Sequence, residues 1–330
     1  MRKQRWLKIL IGIGVICLAV FVGWSVAKNQ EKATTIIPIH DSASAYKFIN
    51  PTLYIETPES LSFPKYSPLK NALQASIAAA EENQQASAIG LYYKDLDSGD
   101  WIGINQTQQF DPASMMKVVT LIALLRAAET QPQLLLANIT VPKNITIPAT
   151  GTQDYYPPAD PVSNGNTYTV SYLIQRLIMQ SDNGADVILI DYLGSPAMAT
   201  VYKDLNLPAP GTSVGISPQN YSHLFRALYN ATYLSSPDSE SALQLLSQTN
   251  FTAGIVAGVP ADTIVSHKFG ESLDAPNAPG LNDCGIVYYP NHPYFLCIMT
   301  KGTDFNTLAG VIKNISSVAW QQTDLLAGSK

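Results

Sequence analysis

The sequence predicts a mixed α/β protein whose antiparallel sheet is assembled from both ends of one domain around a helical block. Three observations carry this prediction: a hairpin over residues 88–104, strands after residue 263, and helical segments between them. Of the 330 residues, 46% are hydrophobic and 14% are charged, against roughly 25% charged in an average soluble protein. That mixture is too apolar for a disordered chain and too interrupted for a polytopic membrane protein.

Ile9 to Ala27 is an uncharged run of 19 residues preceded by Arg2, Lys3, Arg5 and Lys8. As a helix it would be roughly 28 Å long, close to the hydrocarbon thickness of a bilayer. The basic flank keeps the N-terminus in the cytoplasm and directs the rest across. Residues 1–28 are therefore expected to be a retained transmembrane anchor. The alternative is a signal peptide cleaved near Ser25-Val26-Ala27, which would release a secreted protein. Residues 29–67, with Pro38, Pro51, Pro58 and Pro64, read as an extracytoplasmic tether whose apolar pieces Phe48-Ile49 and Leu53-Tyr54-Ile55 can dock on the domain. Beyond residue 28 there are 15 basic and 25 acidic residues. Such an acidic body repels phosphate backbones, which disfavours nucleic acid as a partner.

From residue 68 the pattern turns regular. Leu69, Leu73, Ile77 and Ala80 recur at helical spacing and predict an amphipathic helix over 68–82. Two apolar runs, 88–93 and 101–104, flank Asp97-Ser98-Gly99-Asp100 and predict a hairpin. Met115 to Ala128 is apolar all round and too long for a strand, so a helix buried on every side is expected. Residues 130–260 alternate helical stretches with Pro- and Gly-rich loops. Residues 263–268 predict a strand, 285–289 and 294–299 a hairpin around Pro290–Pro293, and 308–326 a closing helix. Cys284 and Cys297 face each other if that hairpin pairs in one register, and a slip separates them.

Three short motifs carry chemistry. Ser114-Met115-Met116-Lys117 sets a hydroxyl and an amine three residues apart, on one face of a helix. A serine needs a base to become a nucleophile, and a lysine is that base only when neutral, a state that burial favours. The pattern alone is weak, since Ser-x-x-Lys also starts at Ser25, Ser44, Ser62 and Ser67. Those four lie in the anchor or tether, and only Ser114 opens a core helix. Ser181-Asp182-Asn183 occurs once, between two apolar helical segments, where it also suits a plain polar turn. Lys268-Phe269-Gly270 ends a predicted strand, bringing a cation and a residue without a side chain to one place.

In this order and setting the motifs resemble those of the penicillin-recognising serine enzymes, most closely class A β-lactamases, over about residues 68–330. The resemblance implies a five-stranded antiparallel sheet flanked by helices (68–113 and 262–330) beside an all-helical subdomain (114–261). It implies an amide-bond serine hydrolase that forms an acyl-enzyme at Ser114 with a small-molecule β-lactam or a D-Ala-D-Ala-type peptidoglycan peptide. Lys117 would be base or proton relay, Ser181 would pass a proton to the leaving nitrogen, and Lys268 would hold Ser181 and the substrate carboxylate. Asn183 would bond the acyl side chain. The backbone amides of Ser114 and Glu271 would form the oxyanion hole beside Gly270. Tyr156, 25 residues before Ser181, matches the family's aromatic lip. No cofactor is expected, and the protein is expected to be a monomer.

Two departures qualify that expectation. The middle residue of the third motif is normally Thr or Ser, whose hydroxyl binds the substrate carboxylate. Phe269 stands there instead, with Glu271 adding negative charge nearby. The family's deacylating glutamate loop also has no counterpart, because no glutamate lies between Asn183 and Ile216; Asp204 is the nearest substitute. The parts for acylation are present and the usual part for deacylation is missing.

Rival readings are an α/β-hydrolase nucleophile turn at Gly211-Thr212-Ser213-Val214-Gly215 and a membrane-tethered binding module with a decayed site. The former lacks a leading strand, with Pro208 and Pro210 in its place. His40, His223, His267 and His292 have no metal-ligand spacing, so no metal site is expected; His267 reads as an edge-strand residue.

Overall fold

Leu69, Leu73, Ile77 and Ala80 form the buried stripe of the first helix, α1 (Ser67–Glu82). The computed structural model describes residues 46–50, 64–144, 153–208, 215–274 and 278–328. The predicted hairpin follows as β1 (Ala88–Asp95) and β2 (Trp101–Ile104). The Asp95 carboxylate accepts the amides of Asp97 and Ser98, both at 2.9 Å, and Gly99 takes a left-handed φ of 77° that closes the turn. A 3-10 turn, Ala113–Met116, leads into α2 (Lys117–Thr130). The expectation of burial on every side of α2 holds for Lys117 through Leu125. It fails in the last turn, where exposed Arg126 pairs with Glu129.

The helical block continues as α3 (Val170–Met179), α4 (Asn183–Leu193), α5 (Ser195–Asp204), α6 (Pro218–Tyr229) and α7 (Ser236–Leu246). A small sheet of β3 (Asn138–Thr140) and β4 (Thr167–Thr169) was not foreseen, since three residues per strand leave no periodicity to read. The chain returns to the main sheet with β5 (Val265–Asp274), β6 (Ala278–Val287) and β7 (Tyr294–Lys301), and ends in α8 (Phe305–Gly328). β5 and β6 are about twice as long as the predicted strands, because the polar stretches Gly270–Asp274 and Asn282-Asp283 also join the ladder.

The main sheet has five strands in the order β2-β1-β7-β6-β5, every neighbouring pair antiparallel. Both faces are covered. Along β7, Tyr294, Leu296 and Ile298 join the core shared with α1 and α8, while Phe295, Cys297 and Met299 join the core of the helical block. Cys284 and Cys297 are opposite one another in the β6–β7 register and form a disulfide.

Phe48 and Ile49, read from the sequence as pieces that can dock on the domain, are buried. The Glu240 carboxylate on α7 accepts the amides of Lys47, Phe48 and Ile49 at 2.7, 2.7 and 3.0 Å. The anchor run 9–27, Leu53-Tyr54-Ile55 and Ser213 lie outside the described residues. Among the described residues no helix is long and apolar enough to cross a membrane.

Candidate active site

Ser114 sits in the 3-10 turn that opens α2, and this turn is fastened on several sides. The Asp111 carboxylate accepts the Ala113 amide at 2.9 Å, and Ala113 holds a left-handed φ of 46°. Asn282 of β6 donates its side-chain amide to Asp111 O at 2.7 Å, and Tyr221 of α6 donates its hydroxyl to Met115 O at 2.9 Å. Gly270 of β5 lies against the same turn: a Cβ there would stand 2.3 Å from Pro112 O and 3.1 Å from Met115 N. Only glycine permits that approach.

The second motif forms the turn between α3 and α4. Ser181 takes a φ of 56°, a conformation that costs a non-glycine residue on the order of 1–3 kcal/mol. Asp182 caps α4 by accepting the amides of Gly184 and Ala185 at 2.8 and 3.2 Å. Its other oxygen accepts the Val162 amide at 2.9 Å and lies 3.7 Å from the Arg176 guanidinium. Asp182 thus holds the turn in shape and leaves Ser181 and Asn183 to face α2.

These elements bring five predicted residues together. Lys117 Nζ is 2.9 Å from Ser114 Oγ, 3.3 Å from Ser181 Oγ and 2.6 Å from Asn183 Oδ1, and it also donates to Ser181 O. Lys268 Nζ reaches Ser181 Oγ from the other side at 2.8 Å and donates to Phe269 O at 3.0 Å. Burial lowers the Lys117 amine to about 8, against the opposing pull of Asp186, Asp182 and Glu271. Burial, and then the charge of Lys117, holds the Lys268 amine well below the ordinary lysine range. Ser181 O and Asn183 Oδ1 only accept, so they take two protons of the Lys117 amine. When the amine is neutral, its lone pair is left for the Ser114 hydroxyl.

The remaining site residues correct the sequence reading. The Glu271 side chain adds no open charge for a ligand to meet. It is 4% exposed, and its two oxygens accept the amides of Tyr155 and Tyr156 at 3.1 and 3.0 Å. Burial raises its carboxyl above the usual range, with those two amides opposing. The Phe269 ring is 1% exposed and stacks on Phe251 at 4.2 Å, with Tyr156 edge-on at 5.5 Å. Tyr156 donates its hydroxyl to Asn250 O at 2.6 Å. Asp204 is engaged elsewhere, accepting the Tyr233 hydroxyl at 2.8 Å at the end of α5. Ser67 and Lys70 are both exposed on α1, away from such a cluster. His267 does lie on the edge strand, but it is buried and its Nδ1 is 2.8 Å from Asp283 Oδ1. Among the described residues no group of side chains could hold a metal ion.

Residues 68–323 match the model of the beta-lactamase enzyme family. The chain belongs to this family. A beta-lactamase of Amycolatopsis lactamdurans is 28% identical over 240 residues, covering 67% of this chain and 74% of the relative. The carbapenem-hydrolyzing beta-lactamase KPC of Klebsiella oxytoca is 26% identical over 247 residues, covering 69% and 81%. Among solved structures, a point mutant of PBP-A, in an acyl-enzyme complex with penicillin G, superposes with a TM-score of 0.64 at 22% identity, covering 77% of this chain and 97% of that one. A beta-lactamase from Chitinophaga pinensis gives 0.66 at 22% identity, covering 77% and 99%. Family membership makes the chain an enzyme of the serine-hydrolase kind that acts on amide bonds.

Sequence reasoning missed the roles of Asn282, Tyr221 and the Glu271 side chain. The available signal for Asn282 was its place just before the predicted strand at 285, where extending the strand backwards carries a polar side chain into the sheet. For the Glu271 clamp, Glu271→Ala is expected to leave two buried amides without an acceptor, at about 1–3 kcal/mol. Amide hydrogen exchange at Tyr155 and Tyr156 should then quicken tenfold or more by about that energy; unchanged exchange would show that the carboxylate does not hold this loop.

Proposed function

We propose that the chain forms an acyl-enzyme at Ser114 with a β-lactam or a D-Ala-D-Ala-type peptide. The observation that carries this reading is the continuous set of contacts Ser114–Lys117–Ser181–Lys268, at 2.9, 3.3 and 2.8 Å. Neutral Lys117 takes the Ser114 proton as Oγ attacks the carbonyl carbon. The amide backbones of Ser114 and Glu271 stabilise the oxyanion, with Gly270 allowing the strand to lie close enough. The carbon–nitrogen bond then breaks. Ser181 gives its proton to the leaving nitrogen and regains one from Lys117. Asn183 bonds the acyl side chain, and Lys268 supplies the cation for a substrate carboxylate. Tyr156 forms part of the wall beside β5.

Phe269 gives no hydroxyl to the substrate, so the carboxylate is held by charge alone. Asp204 is bonded to Tyr233, which removes the sequence's own candidate for activating a deacylating water. Slow release of the acyl group follows. We also propose that the domain works outside the cytoplasm, held by residues 9–27 or released after their cleavage. The Cys284–Cys297 disulfide supports an oxidising compartment.

Ser114→Ala is expected to abolish labelling by a fluorescent penicillin, and equal labelling of variant and wild type would refute the nucleophile. The labelling rate of the wild type should rise with pH through a midpoint near 8 and level off above it, because only the neutral Lys117 amine accepts a proton. A rate that falls as pH rises from about 6 to 8 would remove Lys117 as base. In a chase with unlabelled penicillin, label should persist for minutes; complete loss within seconds would reveal an efficient deacylating base. In intact cells, added protease should reach the domain of the full chain, and complete protection would place it in the cytoplasm.

A further inference from the structure

The carboxylate of Asp186 has no part in the three motifs, yet it stands beside them. It lies on α4, three residues after Asn183, and Thr120 lies on α2, three residues after Lys117. Residues three apart share a helix face, so the two helices meet through two successive rungs. In the upper rung Lys117 Nζ donates to Asn183 Oδ1 at 2.6 Å; in the lower, Thr120 Oγ1 donates to Asp186 Oδ1 at 2.9 Å. The lower rung places a carboxylate about one helical turn along from the rung that holds the amine. Thr120 is buried and its hydroxyl fixes the carboxylate in that position.

We propose that Asp186 is a positioning residue whose negative charge sets the protonation of Lys117 and allows two amines to share the Ser181 hydroxyl. The proposal rests on the reading of Lys117 as the base for Ser114. The charged and titratable groups facing Asp186 are Lys117 on α2, Lys268 on β5 and Tyr202 on α5, with Asp182 at the start of its own helix and Glu271 beyond Lys117. Among them Asp186 is the largest force raising the Lys117 amine against burial, and it raises the Lys268 amine too. Burial, and then the charge of Asp186, pushes the Tyr202 hydroxyl up to about 12. Removing that charge while keeping an acceptor for Thr120 makes Lys117 lose its proton at lower pH.

The test is an NMR titration of the intact chain with 13C-labelled lysine side chains, the Lys117 signal being assigned with Lys117→Arg. This readout does not require acylation, so it separates failure of this proposal from failure of the acyl-enzyme reading. In Asp186→Asn the Lys117 midpoint should fall by about one pH unit. Asp186→Glu, which keeps the charge, should remain near wild type, as should Thr120→Val, which removes the bond and keeps the charge. Where wild type is labelled by penicillin, the rising limb of its pH profile should move with the midpoint. An unmoved midpoint in Asp186→Asn, or an equal fall in Thr120→Val, overturns the proposal. Should Asp186→Asn fail to fold, Asp186→Ser serves as the charge-free variant; if neither folds, Asp186 is a structural residue and the proposal is overturned.

Discussion

Two amines converge on one buried hydroxyl, Ser181 Oγ, and the rest of the molecule is arranged to make that convergence tolerable. Burying two like charges side by side is unfavourable unless acceptors and counter-charges surround them. The acceptors are Ser181 O, Asn183 Oδ1 and Phe269 O. They belong to the α3–α4 turn and to β5, while Lys117 belongs to α2. The helical block and the sheet must therefore close on each other for either lysine to be satisfied. The left-handed backbone at Ala113 and Ser181 is the local cost of aiming both serines into that junction.

The edge strand β5 divides its residues between two tasks. Lys268 meets Ser181 through its amine, and Gly270 meets the Ser114 turn through the space it leaves. Phe269 and Glu271 fasten the loop carrying Tyr155 and Tyr156, the first through stacked rings and the second through two amide bonds. These departures from the third motif thus serve a different purpose from substrate recognition. They bind a neighbouring loop to the strand, and they do so with side chains that have almost no contact with solvent.

Much of this was legible in the sequence where a pattern repeats or a motif stands in context. The stripe Leu69, Leu73, Ile77 and Ala80 marked α1, and the two apolar runs around Asp97–Asp100 marked the first hairpin. The register that opposes Cys284 to Cys297 stayed open, because alternation on a strand buried on both faces does not pin pairing. The polar halves of β5 and β6 were missed for a related reason: Asn282 and Asp283 are inside the sheet because their side chains find partners, Asp111 O for one and His267 with the Ile255 amide for the other. Asp186 escapes any reading that looks for a glutamate in a loop. The paired spacing Lys117–Thr120 and Asn183–Asp186 was the signal that would have found it.

The clasp around Phe48 changes what the N-terminal segment can do. Asn50 donates its amide to Tyr229 O at 2.6 Å and its side chain to Asn230 at 2.9 Å, so the chain is already fastened to the end of α6 before α1 begins at Ser67. The first described residues of the chain are thus seated at the α6–α7 corner, far along the sequence from α1, and take their backbone partners from elements made some 180 residues later.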